Sequence, residues 1–353
     1  MEAEGKPPPY LIFFICVNRV EIFFEGNFMG CIQQTIVEDK IKTVEDLMRA
    51  QIIDYHPDLK AAIEMILSSG GKRIRPKIVL LLGDLINSNK EPLLMIAAAI
   101  ELLHTATLVH DDLIDSSILR RGVPTINYKW SSSATVLTGD FLFAAASDLA
   151  SRSNSIEVMR LFSRTLMTIV NGEVNQMFSK GWDLDKNAYY QRIYAKTASL
   201  FETSAYAPAL ISDLSSDKMK LLREFGKELG MAFQIYDDIL DYVGEESKIG
   251  KPIGGDLRQG LVTLPLLIYL NQYPKSKIAQ KIFTGENSLD GEEIQLLLIN
   301  ISKSDAILLA QCEAHEYLKR AKTHIMSFPN KPEREGLINI CESLVLPRIE
   351  PVL

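Results

Sequence analysis

Cysteine is scarce. The 353 residues hold four, Cys16, Cys31, Cys312 and Cys341, and none is paired at metal-ligand spacing. That excludes a disulfide scaffold and fits a reducing, cytoplasmic setting. Basic charge is in deficit too: 38 Lys and Arg face 45 Asp and Glu, a net charge of −7. No nucleic-acid partner is expected of so acidic a chain. No run of about 18 apolar residues is found, so no membrane-spanning helix is expected. Period-two alternation is nearly missing outside the N-terminal segment, and solenoid-length repeats and low-complexity linkers are absent. With 47% apolar residues the composition is that of an ordinary globular protein.

What remains is helical signal. Leu59, Ile63, Ile66 and Leu67 form an apolar stripe at helical spacing, and Gly70-Gly71 ends it. Thr43 with Asp46 resembles a capping box and marks a helix start. Pro76 and Pro92 fit the first turns of two further helices. Later helices are expected over Ala134–Arg152, Ile156–Ser179, Lys186–Ile211, Ser216–Tyr242, Leu261–Asn271, Gly291–Ile301, Ser304–Ser327 and Glu333–Leu346. The expected class is all-α: a single large helical bundle around a deep central cavity, spanning residues 43–353. Residues 1–42 read as an N-terminal extension. Its apolar run Tyr10–Val17 suits a strand, and a start at Met29 is the alternative reading.

One stretch organises the chain. His104–Asp115 reads H-T-A-T-L-V-H-D-D-L-I-D and continues the helix-forming run Met95–Leu103. Asp111 and Asp115, four residues apart, share a face and repel one another. A divalent cation offsets that repulsion, and hard carboxylate oxygens suit Mg²⁺, which completes its shell with water and phosphate oxygens. Phe233–Tyr242 repeats the pattern as F-Q-I-Y-D-D-I-L-D-Y, with Asp237, Asp238 and Asp241. A single D-D-x-x-D is most often a solvated acidic patch. Two copies in apolar helices are not, because buried carboxylates need pairing or a metal. Because both motifs must face one cavity, a single domain is expected. Lys72, Arg73, Arg75 and Lys77 crowd one loop and helix start after two glycines, an arrangement that favours an anion.

At these residues the sequence resembles the trans-prenyltransferases, the head-to-tail polyprenyl diphosphate synthases. The likeness runs from about Thr43 to the C-terminus. It is carried in order by G-G-K-R-I-R-P (Gly70–Pro76), the first aspartate motif, R-R-G-x-P-T (Arg120–Thr125), L-T-G-D (Leu137–Asp140), Lys196-Thr197, the second aspartate motif and G-K-P (Gly250–Pro252). The resemblance implies the isoprenoid synthase fold, Mg²⁺ on Asp111, Asp112, Asp115, Asp237, Asp238 and Asp241, and commonly a homodimer. It assigns Lys72, Arg75, His104 and Arg121 to isopentenyl diphosphate, and Arg120 and Lys251 to an allylic prenyl diphosphate. Lys196, Thr197 and Gln234 then line the cavity near the allylic carbon, where polar oxygens stabilise developing positive charge. Taken alone, each of these three is an ordinary helix-surface residue, and a lone His on an apolar helix is most often a satisfied core residue.

The same resemblance bears on product length. Leu103, Ala106 and Thr107 precede Asp111 on its helix, with Ala99 and Ile100 deeper, and none is aromatic, whereas short-chain relatives tend to place Phe or Tyr there. Ala144, Ala145 and Ala146 offer a second small-residue wall. The expected product is octaprenyl to decaprenyl diphosphate, a quinone side-chain precursor, with geranylgeranyl or farnesyl diphosphate as the alternative. A class I terpene cyclase, a non-catalytic subunit of a heteromeric synthase and an unrelated helical binding protein are the competing readings. The second D-D-x-x-D, the basic cluster and the full set of six aspartates count against them.

Overall fold

The computed structural model of the chain describes residues 37–53, 55–178, 182–243, 253–284 and 289–344. The Tyr10–Val17 strand reading, Cys16, Cys31 and Lys251 lie outside these residues. Helix α1 covers residues 37–50, α2 Pro57–Ser68, α3 Ile74–Leu85, α4 Lys90–Ile114, α5 Ile126–Lys129, α6 Ser132–Ser151, α7 Ile156–Phe178 and α8 Lys186–Ile193. A π-helical segment, Tyr194–Ala198, joins α8 to α9, Ser199–Tyr206. The long α10, Ser216–Val243, follows, then α11 Gly255–Arg258, α12 Leu264–Gln272, α13 Lys277–Phe283, α14 Gly291–Lys303, α15 Ala306–Met326 and α16 Pro332–Ser343.

Helix α4 starts where its cap residues predict. The Asn89 side chain accepts from the Glu91 amide, and Pro92 sits in the first turn, where a missing N–H costs nothing. It packs along α6 and α3, while α10 packs along α9 and α15. The α9–α10 approach requires glycine. A Cβ at Gly230 would lie 2.5 Å from Ala198 Cα, and one at Gly226 would lie 2.5 Å from the Phe201 carbonyl oxygen. The core is continuous and aliphatic around α4, from Leu93 through Ala97, Ile100 and Leu103 to Val109.

Two expectations are corrected and two features are added. Residues 37–50 are helical throughout, so Thr43 starts nothing; its hydroxyl donates to the Asp39 carbonyl one turn back. The continuous helix expected over Lys186–Ile211 is broken by the π-helical segment and ends in a 3₁₀ turn, Ala207–Ile211. A two-stranded hairpin, Leu119–Arg120 against Val123–Pro124, turns through Arg121 (φ 52°) and Gly122 (φ 75°). Two positive φ angles in a two-residue loop give the hairpin turn its twist, and strands this short carry no readable alternation. Finally, α4 is long and apolar enough by composition to cross a membrane, but most of its apolar stretch is buried inside the bundle.

Candidate active site

The two aspartate motifs face each other across an open cleft of about 2060 Å³. Asp111 and Asp115 come from the end of α4, Asp237 and Asp238 from α10. Lys72, Arg75, His104, Arg120, Arg121, Lys196, Thr197 and Gln234 line the same cleft. Of the six aspartates, two take other work. Asp112 is buried and accepts from Arg120 Nε at 2.7 Å, which ties the hairpin to α4. Asp241 accepts from the Gly255 and Asp256 amides at 3.1 and 2.9 Å and so caps α11. On a helix, adjacent positions lie about 100° apart, so one face cannot present all three carboxylates of a motif.

The basic cluster also divides. Arg73, in the left-handed region at φ 47°, turns inward to Glu101 (2.8 Å) and Glu45 (2.9 Å). Lys77 pairs with Glu38 at 2.7 Å. Two of the four cations thus take carboxylates, and Lys72 and Arg75 line the cleft. Arg75 lies 4.6 Å over the Phe201 ring, and its buried Nε has no hydrogen-bond partner. Burial pushes its pKa down to about 10. Burial, with Arg75, Arg121, Arg120 and Arg73 around it, holds the His104 imidazole neutral, well below its usual range. Arg121 donates to the Gly70 carbonyl and fills the space where Gly71 would carry a Cβ. An unpaired guanidinium edge among like charges is a site for an anion.

On the opposite wall, the π-helical segment presents Lys196 and Thr197. A π-bulge shifts helix register locally and is frequent at functional sites. Lys196 pairs with Glu173 of α7 at 2.8 Å. Although burial opposes it, Asp111 and Glu173 raise the Lys196 pKa. Burial raises Asp111 to about 6, with Glu173 and Asp115 adding to it. Asp238 is pushed up to about 7 by burial. Thr197 Oγ1 donates to Gln234 Oε1 at 2.5 Å. Sequence reasoning missed Glu173, Arg192 and Asp256, which is half-buried and held well above the usual carboxylate range by loss of solvent and then by Asp238, Asp241 and Asp237. The polar run Asn-Gly-Glu inside apolar α7 was the available signal for Glu173.

The chain-length residues separate. Thr107 lines the cleft. Leu103 and Ala106 are fully buried and do not line it. Farther along α4, Ile96, Ala99 and Ile100 border a small apolar void of about 10 Å³ with Phe162 and Thr203. Ala145 and Ala146 are buried but line neither space, and Ala144 is exposed.

Among the described residues no three acidic, histidine or cysteine side chains close into a cage of their own. Carboxylates on two facing helices suit instead a cation whose shell is completed by phosphate oxygens and water. Fold and site together define a helical bundle with one large cleft between acidic and basic rims.

The chain belongs to the polyprenyl synthetase family, whose pattern matches residues 56–299. It is 35% identical over 310 residues to heptaprenyl diphosphate synthase component 2 of Bacillus subtilis (strain 168), covering 87% of this chain and 88% of that one. It is 34% identical over 282 residues to octaprenyl diphosphate synthase of Escherichia coli (strain K12), covering 79% and 87%. The crystal structure of polyprenyl synthase from Caulobacter crescentus CB15, complexed with calcium and isoprenyl diphosphate, matches at a TM-score of 0.83 and 32% identity over 89% of this chain and 97% of that one. The protein is a prenyltransferase enzyme of isoprenoid biosynthesis, with the all-α fold of its relatives.

Proposed function

We propose that the protein is a Mg²⁺-dependent synthase that condenses isopentenyl diphosphate with an allylic diphosphate to make an all-trans octaprenyl to decaprenyl diphosphate in the cytoplasm. The observation that carries the reading is the cleft itself, with Asp111 and Asp237 on its acidic rims and the partnerless Arg75 Nε on its basic one. Asp111, Asp115 and Asp237 would hold the metal, and bound Mg²⁺ supplies charge neutralisation for the departing diphosphate. Lys196 and Arg120 bring fixed positive charge to the same diphosphate. Lys72, Arg75, His104 and Arg121 hold isopentenyl diphosphate, with His104 neutral and hydrogen-bonding. Thr197 and Gln234 offer oxygens to charge developing at the allylic carbon. Lys251 is assigned to the allylic diphosphate by resemblance. Among the described residues no side-chain base is assigned to the proton released on condensation, and by resemblance the departing diphosphate takes it. The aliphatic wall of Leu108, Ile169 and Leu200 keeps water from the reacting carbon.

Metal binding depends on pH in a direction set by the raised carboxylates. Ionised ligands are needed, so as the ligand Asp111, at about 6, and Asp238, beside the ligand Asp237 and at about 7, lose their negative charges, Mg²⁺ affinity falls as the pH drops from about 8 to about 6. Metal-free stability runs the other way. Each folded carboxylate keeps a proton that the unfolded chain, at about 3.9, has lost, so their contribution to stability declines as pH rises from about 4 to about 7. Calorimetric titration with Mg²⁺ and thermal melts in chelator across this range check both. An affinity that is flat with pH contradicts the assignment.

The tail of the growing product is expected to run from Thr107 toward the apolar void at Ala99 and Ile100, each helical turn adding about 5.4 Å of depth. Thr107→Phe then shortens the product, read by chromatography of the hydrolysed prenyl alcohols. Ala106→Phe instead overpacks the core and lowers the melting temperature, an overpacking cost of about 1–3 kcal/mol. An unchanged product from Thr107→Phe would place the tail elsewhere.

Assembly has two readings. The exposed apolar stripe of α7, Met167, Val170, Val174, Met177 and Phe178, supports a homodimer. The Bacillus subtilis relative is named as a component, which favours a heteromer. Activity and mass of the purified chain separate them.

A further inference from the structure

Tyr189 does not line the cleft, and it is among the most buried side chains of the bundle, 1% exposed. Its hydroxyl donates to Asp238 Oδ2 at 2.8 Å. Asp238 Oδ1 accepts from Gln234 Nε2 at 2.8 Å, and Gln234 Oε1 accepts from the Thr197 hydroxyl at 2.5 Å. Four side chains from α8, α10 and the π-helical segment thus form one chain of hydrogen bonds. It starts in the core at Tyr189 and ends on the cleft wall at Gln234 and Thr197.

The chain has a fixed direction. Asp238 accepts on both oxygens, from the Tyr189 hydroxyl and from the Gln234 amide, so Gln234 turns its N–H toward Asp238 and its carbonyl toward Thr197. The Thr197 proton is then committed to Gln234, and the lone pairs of its oxygen are left for the cleft. The Tyr189 ring is itself held. The Arg192 guanidinium lies 5.5 Å from its centroid and donates to the Val262 carbonyl, and the Tyr190 ring meets it edge-on at 5.3 Å.

From this arrangement we infer that Tyr189 is a positioning residue for prenyl transfer. Through Asp238 it orients Gln234 and the Thr197 hydroxyl, so that their oxygens face the allylic carbon as positive charge develops there. Tyr189 touches no substrate. Without its hydroxyl, Asp238 Oδ2 is a buried acceptor with no donor. The carboxylate turns to find one, the Gln234 amide loses its fixed partner, and the Thr197 proton is free to point into the cleft. A hydroxyl proton aimed at a developing cation opposes the reaction.

The inference rests on the proposed allylic substrate at Lys196, Thr197 and Gln234, and the test keeps the two apart. Tyr189→Phe retains the ring and loses only the hydroxyl. Its kcat should fall about tenfold, the size expected for one hydrogen bond to a charged group, while the KM for isopentenyl diphosphate stays at the parental value. An unreactive allylic thiodiphosphate should bind the variant as tightly as the parent, because an interaction made only as charge develops leaves ground-state binding unchanged. Thr197→Val should also lower kcat, and the double variant should be no slower than the slower single, since both changes break one chain. A Tyr189→Phe enzyme with parental kcat, or losses that multiply fully in the double variant, would overturn the inference. If Tyr189→Phe lowers the melting temperature, the double-variant comparison still decides, because general loosening multiplies with Thr197→Val rather than merging with it. A parent chain that transfers no prenyl group overturns the functional proposal instead.

Discussion

Replacing Asp111 with alanine lowers turnover by roughly two to three orders of magnitude, the size of effect seen when a preorganised charge contact is removed from an active site. The helical content is expected to stay intact. Asp111 lies half-buried at the end of α4, beside Asp115 and Glu173, and its raised pKa of about 6 records a carboxylate short of compensation. Losing it removes a carboxylate whose burial Lys196 only partly offsets, so the melting temperature in chelator should hold or rise while activity collapses. Asp237→Ala on the facing helix should behave alike. Asp241→Ala should differ: it removes the acceptor for two α11 amides, so its first effect is on stability. Near-parental turnover in both Asp111→Ala and Asp237→Ala contradicts the acidic rims as the metal site.

Arg75→Ala raises the KM for isopentenyl diphosphate far more than that for the allylic primer. Removing one partner of a buried charge-assisted contact costs about 2–5 kcal/mol, a loss to be read in initial-rate titrations of each substrate. Arg75 stacks on Phe201 with its Nε unsatisfied, so the guanidinium is already desolvated and positioned before substrate arrives. Equal effects on the two substrates would mean that the phosphate sites are divided differently.

How much of this was legible in the sequence varies with the kind of feature. Helix α4 was readable because Asn89, Pro92 and the apolar run up to Asp111 all point to one element. Likewise, the i, i+4 spacing of Asp111 and Asp115 was enough to place both on the cleft. What sequence spacing could not convey was which neighbour each charged group would meet. Arg73 turns inward because Glu101, almost thirty residues away, lies fully buried across from it. Asp112 points away from the cleft to Arg120, and Asp238, on the cleft wall, is held between Tyr189 and Gln234. The break at Tyr194–Ala198 was hidden as well, since Y-A-K-T-A has ordinary helix-forming residues. What surrounds it is close packing, with Gly172 of α7 against Ala195 and Gly230 of α10 against Ala198. Ala106 was read one position off the cleft face, where a fraction of a turn separates the core from the cavity.

The measurement that bears most directly on the account is incubation of the purified chain with isopentenyl diphosphate, Mg²⁺ and each of the short allylic diphosphates, followed by chromatography of the products. The account predicts Mg²⁺-dependent formation of all-trans products in the octaprenyl to decaprenyl range from the chain alone. Elongation that stops at farnesyl diphosphate, or no condensation under any primer, would contradict it.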